Sequence, residues 1–326
     1  MLKDSFGRVH DYLRISLTDV CNFRCQYCMP NEDIRFMPAG NLMQTDEINL
    51  LAREFVNHGV KKIRLTGGEP LIRKDAQQII ELLSKYPIEL TLTTNGYRLH
   101  EFIDVFKAAG IKSVNISLDT LDKEKFKQIT KRDAFEQIKQ NIGLMLQNNF
   151  HVKVNAVIMR GFNDHEINDF VSWTKNFPLH IRFIEFMPFA GNKWNDEKVF
   201  SFKEIIETIE QKFSIIKLKD EDNATAKKYK VLDHTGTFAI ISTMSAPFCS
   251  SCNRMRLTAD GKMKNCLFSK GEIDLLGALR NGENLTPLIK QCLFEKEEAS
   301  GGQFTKDYER IDASKLENRS MINIGG

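Results

Sequence analysis

The sequence predicts an α/β fold: an incomplete (β/α)6 TIM-type barrel, with a C-terminal extension of β-hairpins and helices closing its open side. Two observations lead there. Short β-rich segments alternate with longer amphipathic stretches, and strand alternating with helix means parallel strands joined by crossovers. Within the strands, apolar and polar residues also alternate, whereas a sheet packed on both faces would read as continuous Val, Ile and Leu.

In chain order the strands are Leu13–Leu17, Ile63–Thr66, Leu90–Thr94, Val114–Leu118, Val152–Ile158 and Ile181–Phe186. Thr45–Asn57, Asp75–Leu83, Glu101–Ala109 and Phe135–Gln147 read as helices between them. An open doubly wound sheet would give a similar order of elements, and the alternation inside the strands separates the two. Leu13, Ile15 and Leu17 face away from Arg14, Ser16 and Thr18, and Ile63 and Leu65 from Arg64 and Thr66. Leu90 and Leu92 oppose Thr91, Thr93 and Asn95; Val114, Ile116 and Leu118 oppose Asn115, Ser117 and Asp119; Val152 and Val154 oppose Lys153 and Asn155. One face meets helices and the other encloses a polar, ligand-sized lumen, since unpartnered buried charge is costly. Arg14, Arg64 and Lys153 on that face imply a polyanionic guest, of which a nucleoside phosphate is the commonest kind. The alternative is that each cation pairs with a neighbouring carboxylate.

Beyond the sixth strand, Lys203–Phe213 reads as a helix and the charge-rich Lys217–Lys230 as a linker, dividing the chain into regions 1–218 and 219–326. Lys230–Thr243 and Arg254–Leu267 resemble hairpins around His234-Thr235-Gly236 and Asp260-Gly261, followed by helical patterns at Ile273–Leu279 and Pro287–Phe294. A polar tail then runs to Gly325-Gly326.

At 326 residues and 42% hydrophobic, the chain can bury a substantial core. Its 46 basic against 43 acidic residues lie without long basic runs, which argues against a nucleic-acid surface. No stretch approaches the roughly 18 apolar residues of a membrane helix, and the first residues lack a signal-peptide pattern. A soluble, cytoplasmic protein without nucleic-acid or membrane partners is expected. Seven cysteines, an odd number, are more plausibly metal ligands or core thiols than disulfides in a reducing compartment.

Cys21, Cys25 and Cys28 follow the first strand with spacing C-x-x-x-C-x-x-C, where barrel active sites sit. Three thiolates on one loop can bind three irons of a cubane and leave the fourth open to a small molecule. A structural zinc would want a fourth ligand, and the closest histidines are His10 and His58. The spacing, with Tyr27 before the last cysteine, resembles the signature of the radical S-adenosylmethionine superfamily. That resemblance implies that the open iron chelates the methionine moiety and that an electron releases a 5′-deoxyadenosyl radical. Gly67-Gly68-Glu69-Pro70 matches the segment that contacts the methionine amino group in that superfamily.

Cys249, Cys252 and Cys266 form a second set of three. Zinc competes more seriously here, because C-x-x-C on a hairpin is half of a common zinc knuckle, which Cys292 or His234 could complete. Cys292 otherwise reads as a buried helical thiol. Arg254 and Arg256 alternate on the strand leaving this cluster and suit an anionic or base-bearing substrate, or are simply solvated.

The run C-x-x-C-Asn-Arg-Met-Arg, with Cys266 beyond and a Gly-Gly end, resembles the GTP 3′,8-cyclase family of molybdenum cofactor biosynthesis along essentially the full length. Arg64–Pro70, Thr93–Gly96, Asn115–Asp119, Val152–Asn155 and Arg182–Met187 agree as well. The resemblance implies two 4Fe–4S clusters, on Cys21, Cys25 and Cys28 and on Cys249, Cys252 and Cys266, with the second binding the guanine of GTP. It implies that Tyr27, Gly67, Gly68, Glu69, Ser117 and Met187 bind S-adenosyl-L-methionine, and that Arg14, Arg64, Thr93, Lys153, Arg254 and Arg256 bind GTP. Arg254, Arg256, Gly325 and Gly326 would act in catalysis, the tail reaching the active site. An external electron donor, a downstream cyclic pyranopterin monophosphate synthase and a homodimer are implied too. A peptide-modifying radical enzyme and a zinc-binding interaction module on a barrel are the competing readings.

Overall fold

A computed structural model describes residues 1–29, 35–304 and 307–325. The first six strands are β1 Tyr12–Ser16, β2 Lys62–Thr66, β3 Glu89–Thr94, β4 Ser113–Ser117, β5 His151–Ile158 and β6 His180–Glu185. Helices fill each crossover: α1 Thr45–Asn57, α2 Ala76–Leu83, α3 Ile103–Ala108, the pair α4 Lys123–Thr130 and α5 Phe135–Gln147, then α6 Ile167–Trp173. After β6 come α7 Phe202–Glu210, β7 Ile215–Lys217, β8 Lys227–Val231, β9 Thr237–Ile241, β10 Arg254–Leu257, β11 Lys262–Lys264 and β12 Ile273–Asp274. The chain closes with α8 Leu275–Arg280, α9 Leu285–Phe294 and α10 Met321–Ile324.

The strands join one parallel-rich sheet in the order β12-β11-β10-β1-β2-β3-β4-β5-β6-β9-β8-β7. Beyond the six expected parallel neighbours, β10 pairs parallel with β1 and β9 parallel with β6. The hairpin reading of both regions holds, since β8 and β9, and β10 and β11, pair antiparallel. What local pattern did not reveal is that one arm of each hairpin extends the parallel run. The expected linker needs correcting: Ile215–Lys217 and Lys227–Val231 are strands, and β8 joins β9 to the edge strand β7. Lysines protect a sheet edge from further pairing, so the charge that read as a linker belongs to an edge. Ile273, expected in a helix, lies in the two-residue β12, and α4 and α6 are helices beyond those expected.

Alternation sorts the strands as anticipated. Leu13, Ile15, Ile63, Leu65, Leu92, Val114, Ile116, Val152, Val154, Ile181 and Phe183 are buried in the main core with α1 Leu51 and Phe55, α2 Ile80 and α5 Ile138. At roughly 25 cal/mol per Å² of apolar surface, this layer is the main stabilising contribution. Parallel register aligns Arg256 with Arg14, Arg14 with Arg64, Asn115 with Lys153 and Asn155 with Arg182 on the opposite face. No described helix is long and apolar enough to cross a membrane.

Candidate active site

The loop after β1 carries Cys21, Cys25 and Cys28, none of them in a disulfide. Cys28 and Met29 donate their N–H groups to the Cys25 carbonyl at 3.0 and 2.8 Å, tightening the turn. The loop's start is clamped by the segment after β2: Gly68 N–H donates to Thr18 O at 2.7 Å and Glu69 N–H to Val20 O at 2.9 Å. Only glycine allows this approach, because a Cβ at Gly67 would sit 2.5 Å from the Thr18 carbonyl and one at Gly68 would overlap Val20. The Glu69 carboxylate is buried, accepts from Leu71 N–H, Thr94 Oγ1 and Asn95 N–H, and has its pKa raised to about 7 by burial. It thereby joins the cysteine loop to the ends of β2 and β3.

Burial raises the Cys21 pKa to about 11, with Glu69 adding to the effect. Burial also lifts the Cys25 and Cys28 thiols, which sense their neighbouring cysteines and Asp119. Such thiols ionise only if a strong cation takes the proton's place, and a metal does so. Neutral donors are already aimed at one sulfur: Phe23 N–H at 3.4 Å and Asn95 Nδ2 at 3.8 Å from Cys21 Sγ. Tyr27 Oη donates to Asp119 Oδ2 at 2.6 Å, and burial raises the Asp119 carboxyl to about 6. Cys25, Tyr27, Asn95, Ser117 and Asp119 line a common cavity beside the loop. Met187 packs between two small apolar clusters beyond β6.

Cys249 and Cys252 lie on the turn before β10, and Cys266 follows β11. Here the surroundings are cationic. Burial would raise the Cys252 pKa, but Arg254 and Lys296 overcome it and bring the thiol to about 7, while burial raises Cys249. The side chains of the candidate fourth ligands are engaged by other groups. Cys292 is buried in α9 with Sγ 3.7 Å from Met263 O, and His234 Nδ1 pairs with Thr174 Oγ1 at 2.8 Å on the β8–β9 connection. Among the described residues no three His, Cys, Asp or Glu side chains are grouped closely enough for a single metal ion. In a cubane each thiolate binds a different iron, so three ligands need not meet at one point. Within each trio the cysteines lie near enough to one another to interact electrostatically.

Arg14, Arg64, Lys153, Arg182, Arg254 and Arg256 gather on the polar face of the parallel strands, coupled to one another electrostatically. Among the described residues none of the six forms an ion pair with a carboxylate. Among the described residues, then, the carboxylate pairing left open at the sequence level is not found. Burial and then Arg182 and Arg64 depress Lys153 to about 8; burial and Arg64 depress Arg182 to about 9; burial and Arg254 depress Arg256 to about 10. Burial lowers Arg14 well below its usual range, reinforced by Arg256, Arg64 and Arg254, and its Nε is buried without a hydrogen-bond partner. Arg64 donates to Tyr12 Oη and, at 3.4 Å, to Thr93 Oγ1. Like charges aligned across neighbouring strands are destabilising, so this face calls for an anion.

Sequence reasoning did not single out Arg182 or Tyr12. Arg182 was visible, since it alternates with Ile181 and Phe183 in β6. Tyr12 was not, because it precedes the apolar alternation that marked β1.

The tail enters the same face. Arg256 Nη1 donates to the Gly325 carbonyl at 2.6 Å, and Gly325 has φ +82° with its Cα against β1 and β2. A Cβ there would stand 2.5 Å from Thr66 Oγ1 and 3.0 Å from Ser16 Cβ. Gly326 lies outside the described residues.

This fold, with a three-cysteine loop after the first strand, defines a radical S-adenosylmethionine protein. Residues 15–174 match the radical SAM superfamily and residues 179–301 the family described as Molybdenum Cofactor Synthesis C. The chain is 41% identical over 337 residues to GTP 3′,8-cyclase of Peptoclostridium acidaminophilum, covering 100% of this chain and 98% of that one. It is 44% identical to the mitochondrial GTP 3′,8-cyclase of Arabidopsis thaliana, covering 100% of this chain and 84% of that one. The chain belongs to the GTP 3′,8-cyclase family. It spans about half the length of other curated relatives, such as mouse molybdenum cofactor biosynthesis protein 1, at 46% identity over 99% of this chain and 51% of that one. Among solved structures, Streptococcus suis SuiB bound to precursor peptide SuiA shares the fold, with TM-score 0.60 at 14% identity, covering 95% of this chain and 77% of that one. Membership in the superfamily implies a 4Fe–4S cluster and S-adenosylmethionine.

Proposed function

We propose that this chain is a GTP 3′,8-cyclase, converting GTP to (8S)-3′,8-cyclo-7,8-dihydro-GTP in the first step of molybdenum cofactor biosynthesis. The observation that carries this reading is the group of six cations that, among the described residues, have no carboxylate ion pair, on the polar sheet face between two three-cysteine loops. A triphosphate supplies the anion such a face needs. Identity along nearly the whole of cyclase relatives supports it over a peptide-modifying enzyme, for which the support is fold likeness at 14% identity.

In this reading residues 1–218 form a partial (β/α)6 barrel and residues 219–326 carry the second centre. Cys21, Cys25 and Cys28 would hold one 4Fe–4S cluster, and Cys249, Cys252 and Cys266 another whose open iron takes the guanine. When bound, the first cluster supplies an iron site for S-adenosylmethionine and the electron that cleaves it to a 5′-deoxyadenosyl radical. Tyr27, Gly67, Gly68, Glu69, Ser117 and Met187 would contact that cosubstrate, the glycines through backbone that a side chain would push away. Arg14, Arg64, Thr93 and Lys153, together with Arg182, would hold the triphosphate and ribose. Arg254, Arg256, Gly325 and Gly326 complete the reacting end, where carbon 3′ loses hydrogen and bonds to carbon 8. The docked tail helps keep water from the site while the radical exists. A homodimer in the cytoplasm, an external electron donor and a cyclic pyranopterin monophosphate synthase as the next enzyme complete the proposal.

The test is an anaerobic incubation of the iron-loaded protein with GTP, S-adenosylmethionine and reductant. The expected outcome is 5′-deoxyadenosine together with the cyclised nucleotide. Deoxyadenosine without any cyclised nucleotide would reject the assignment.

A further inference from the structure

Lys296 follows α9 and is 4% exposed, an unusual place for an ammonium group. Among the described residues it forms no ion pair with a carboxylate; its Nζ donates to the Asn265 carbonyl and lies 3.9 Å from Cys252 Sγ. Asn265 precedes Cys266, and its Nδ2 is tied to the Cys292 carbonyl at 2.7 Å, so Lys296 bridges the two strands of chain that carry Cys252 and Cys266. Arg8, whose Nη1 holds the Cys249 carbonyl at 2.9 Å, approaches the remaining arm. A buried cation without an anion is strongly unfavourable. The anionic partner this neighbourhood offers is cysteine sulfur. The first trio differs, because Cys21 Sγ receives its hydrogen bonds from the Phe23 and Asn95 amides, which are neutral.

Resting on the reading that Cys249, Cys252 and Cys266 hold an iron–sulfur centre, we infer that Lys296 is the fixed counter-charge of that centre and tunes its reduction potential. It is a positioning residue that acts through Cys252. Hydrogen bonds to ligand sulfurs and net local charge set the potential of such clusters. Reduction adds negative charge, so a buried ammonium stabilises the reduced form and moves the potential upward. A neutral side chain of similar length removes that effect while retaining the packing of the aliphatic stem.

The experiment uses the full chain carrying Cys21→Ser, Cys25→Ser and Cys28→Ser, so that only the second trio can hold iron, with potentiometric titration followed by electron paramagnetic resonance. Adding Lys296→Met should leave iron and sulfide content unchanged and shift the midpoint to lower potential. Lys296→Arg should restore the parent value in large part. An unshifted midpoint in a fully loaded Lys296→Met protein overturns the inference. Equal loss of iron from the Met and Arg variants also overturns it, because it marks a structural role. A parent chain that binds no iron fails at the earlier step, refuting the second centre itself.

Discussion

The two cysteine trios offer the same number of sulfurs in different electrical surroundings. Around Cys21, Cys25 and Cys28 the nearby ionisable groups include the carboxyls of Glu69 and Asp119, and burial with those neighbours pushes the thiols up. Around Cys252 the dominant charges are Arg254 and Lys296, which bring that thiol down to about 7. The one cation close to the first trio, among the groups that shift its thiols, is Arg24 beside Cys21. Ligand count alone would have made the trios equivalent; the side chains around them give their sulfurs different electrostatics.

The largest test of this difference replaces whole trios. Serine at Cys21, Cys25 and Cys28 should abolish both S-adenosylmethionine cleavage and cyclisation, whereas serine at Cys249, Cys252 and Cys266 should abolish cyclisation and leave cleavage measurable by 5′-deoxyadenosine release. Removal of Gly325 and Gly326 should act like loss of the second trio, eliminating cyclised product while cleavage persists. Gly325→Ala should give a milder form of that defect, since φ +82° and the approach to Thr66 oppose any side chain. Next in size is Arg14→Met, which removes one of the cations proposed to hold the triphosphate. A charge-assisted contact worth about 1.5–3 kcal/mol predicts roughly a 10- to 100-fold fall in kcat/KM for GTP. The smallest effect is chemical. In metal-free protein, iodoacetamide should modify Cys252 at a rate that rises as pH climbs through about 7, whereas Cys21 should respond only as pH approaches about 11, read by mass spectrometry of labelled peptides.

The six leading strands and both trios were legible because their signals are local: alternation along a strand, and cysteine spacing within a few residues. The meeting of Arg14, Arg64 and Lys153 on one face followed from alternation alone. The parallel pairing of β9 and β10 was not legible, because each sits in an antiparallel hairpin and its second neighbour is chosen by closure of the whole sheet. Lys296 was hidden for a related reason. A lysine at the end of an amphipathic helix reads as solvated, and only the fold buries it against Cys252. The Gly67-Gly68 turn was read through the cosubstrate, and the structure adds a close backbone contact with Thr18 and Val20 that needs glycine on its own account.

β9 and β10 flank opposite margins of the first six strands, yet only residues 242–253 separate them in sequence. That short stretch is a strap thrown across the molecule, with Cys249 and Cys252 near its far end. Before it is in place, β1 and β6 each present a bare row of amides and carbonyls, the condition under which sheets polymerise. Seating one short connection therefore covers both of those margins and sets Cys249 and Cys252 beside the start of β10.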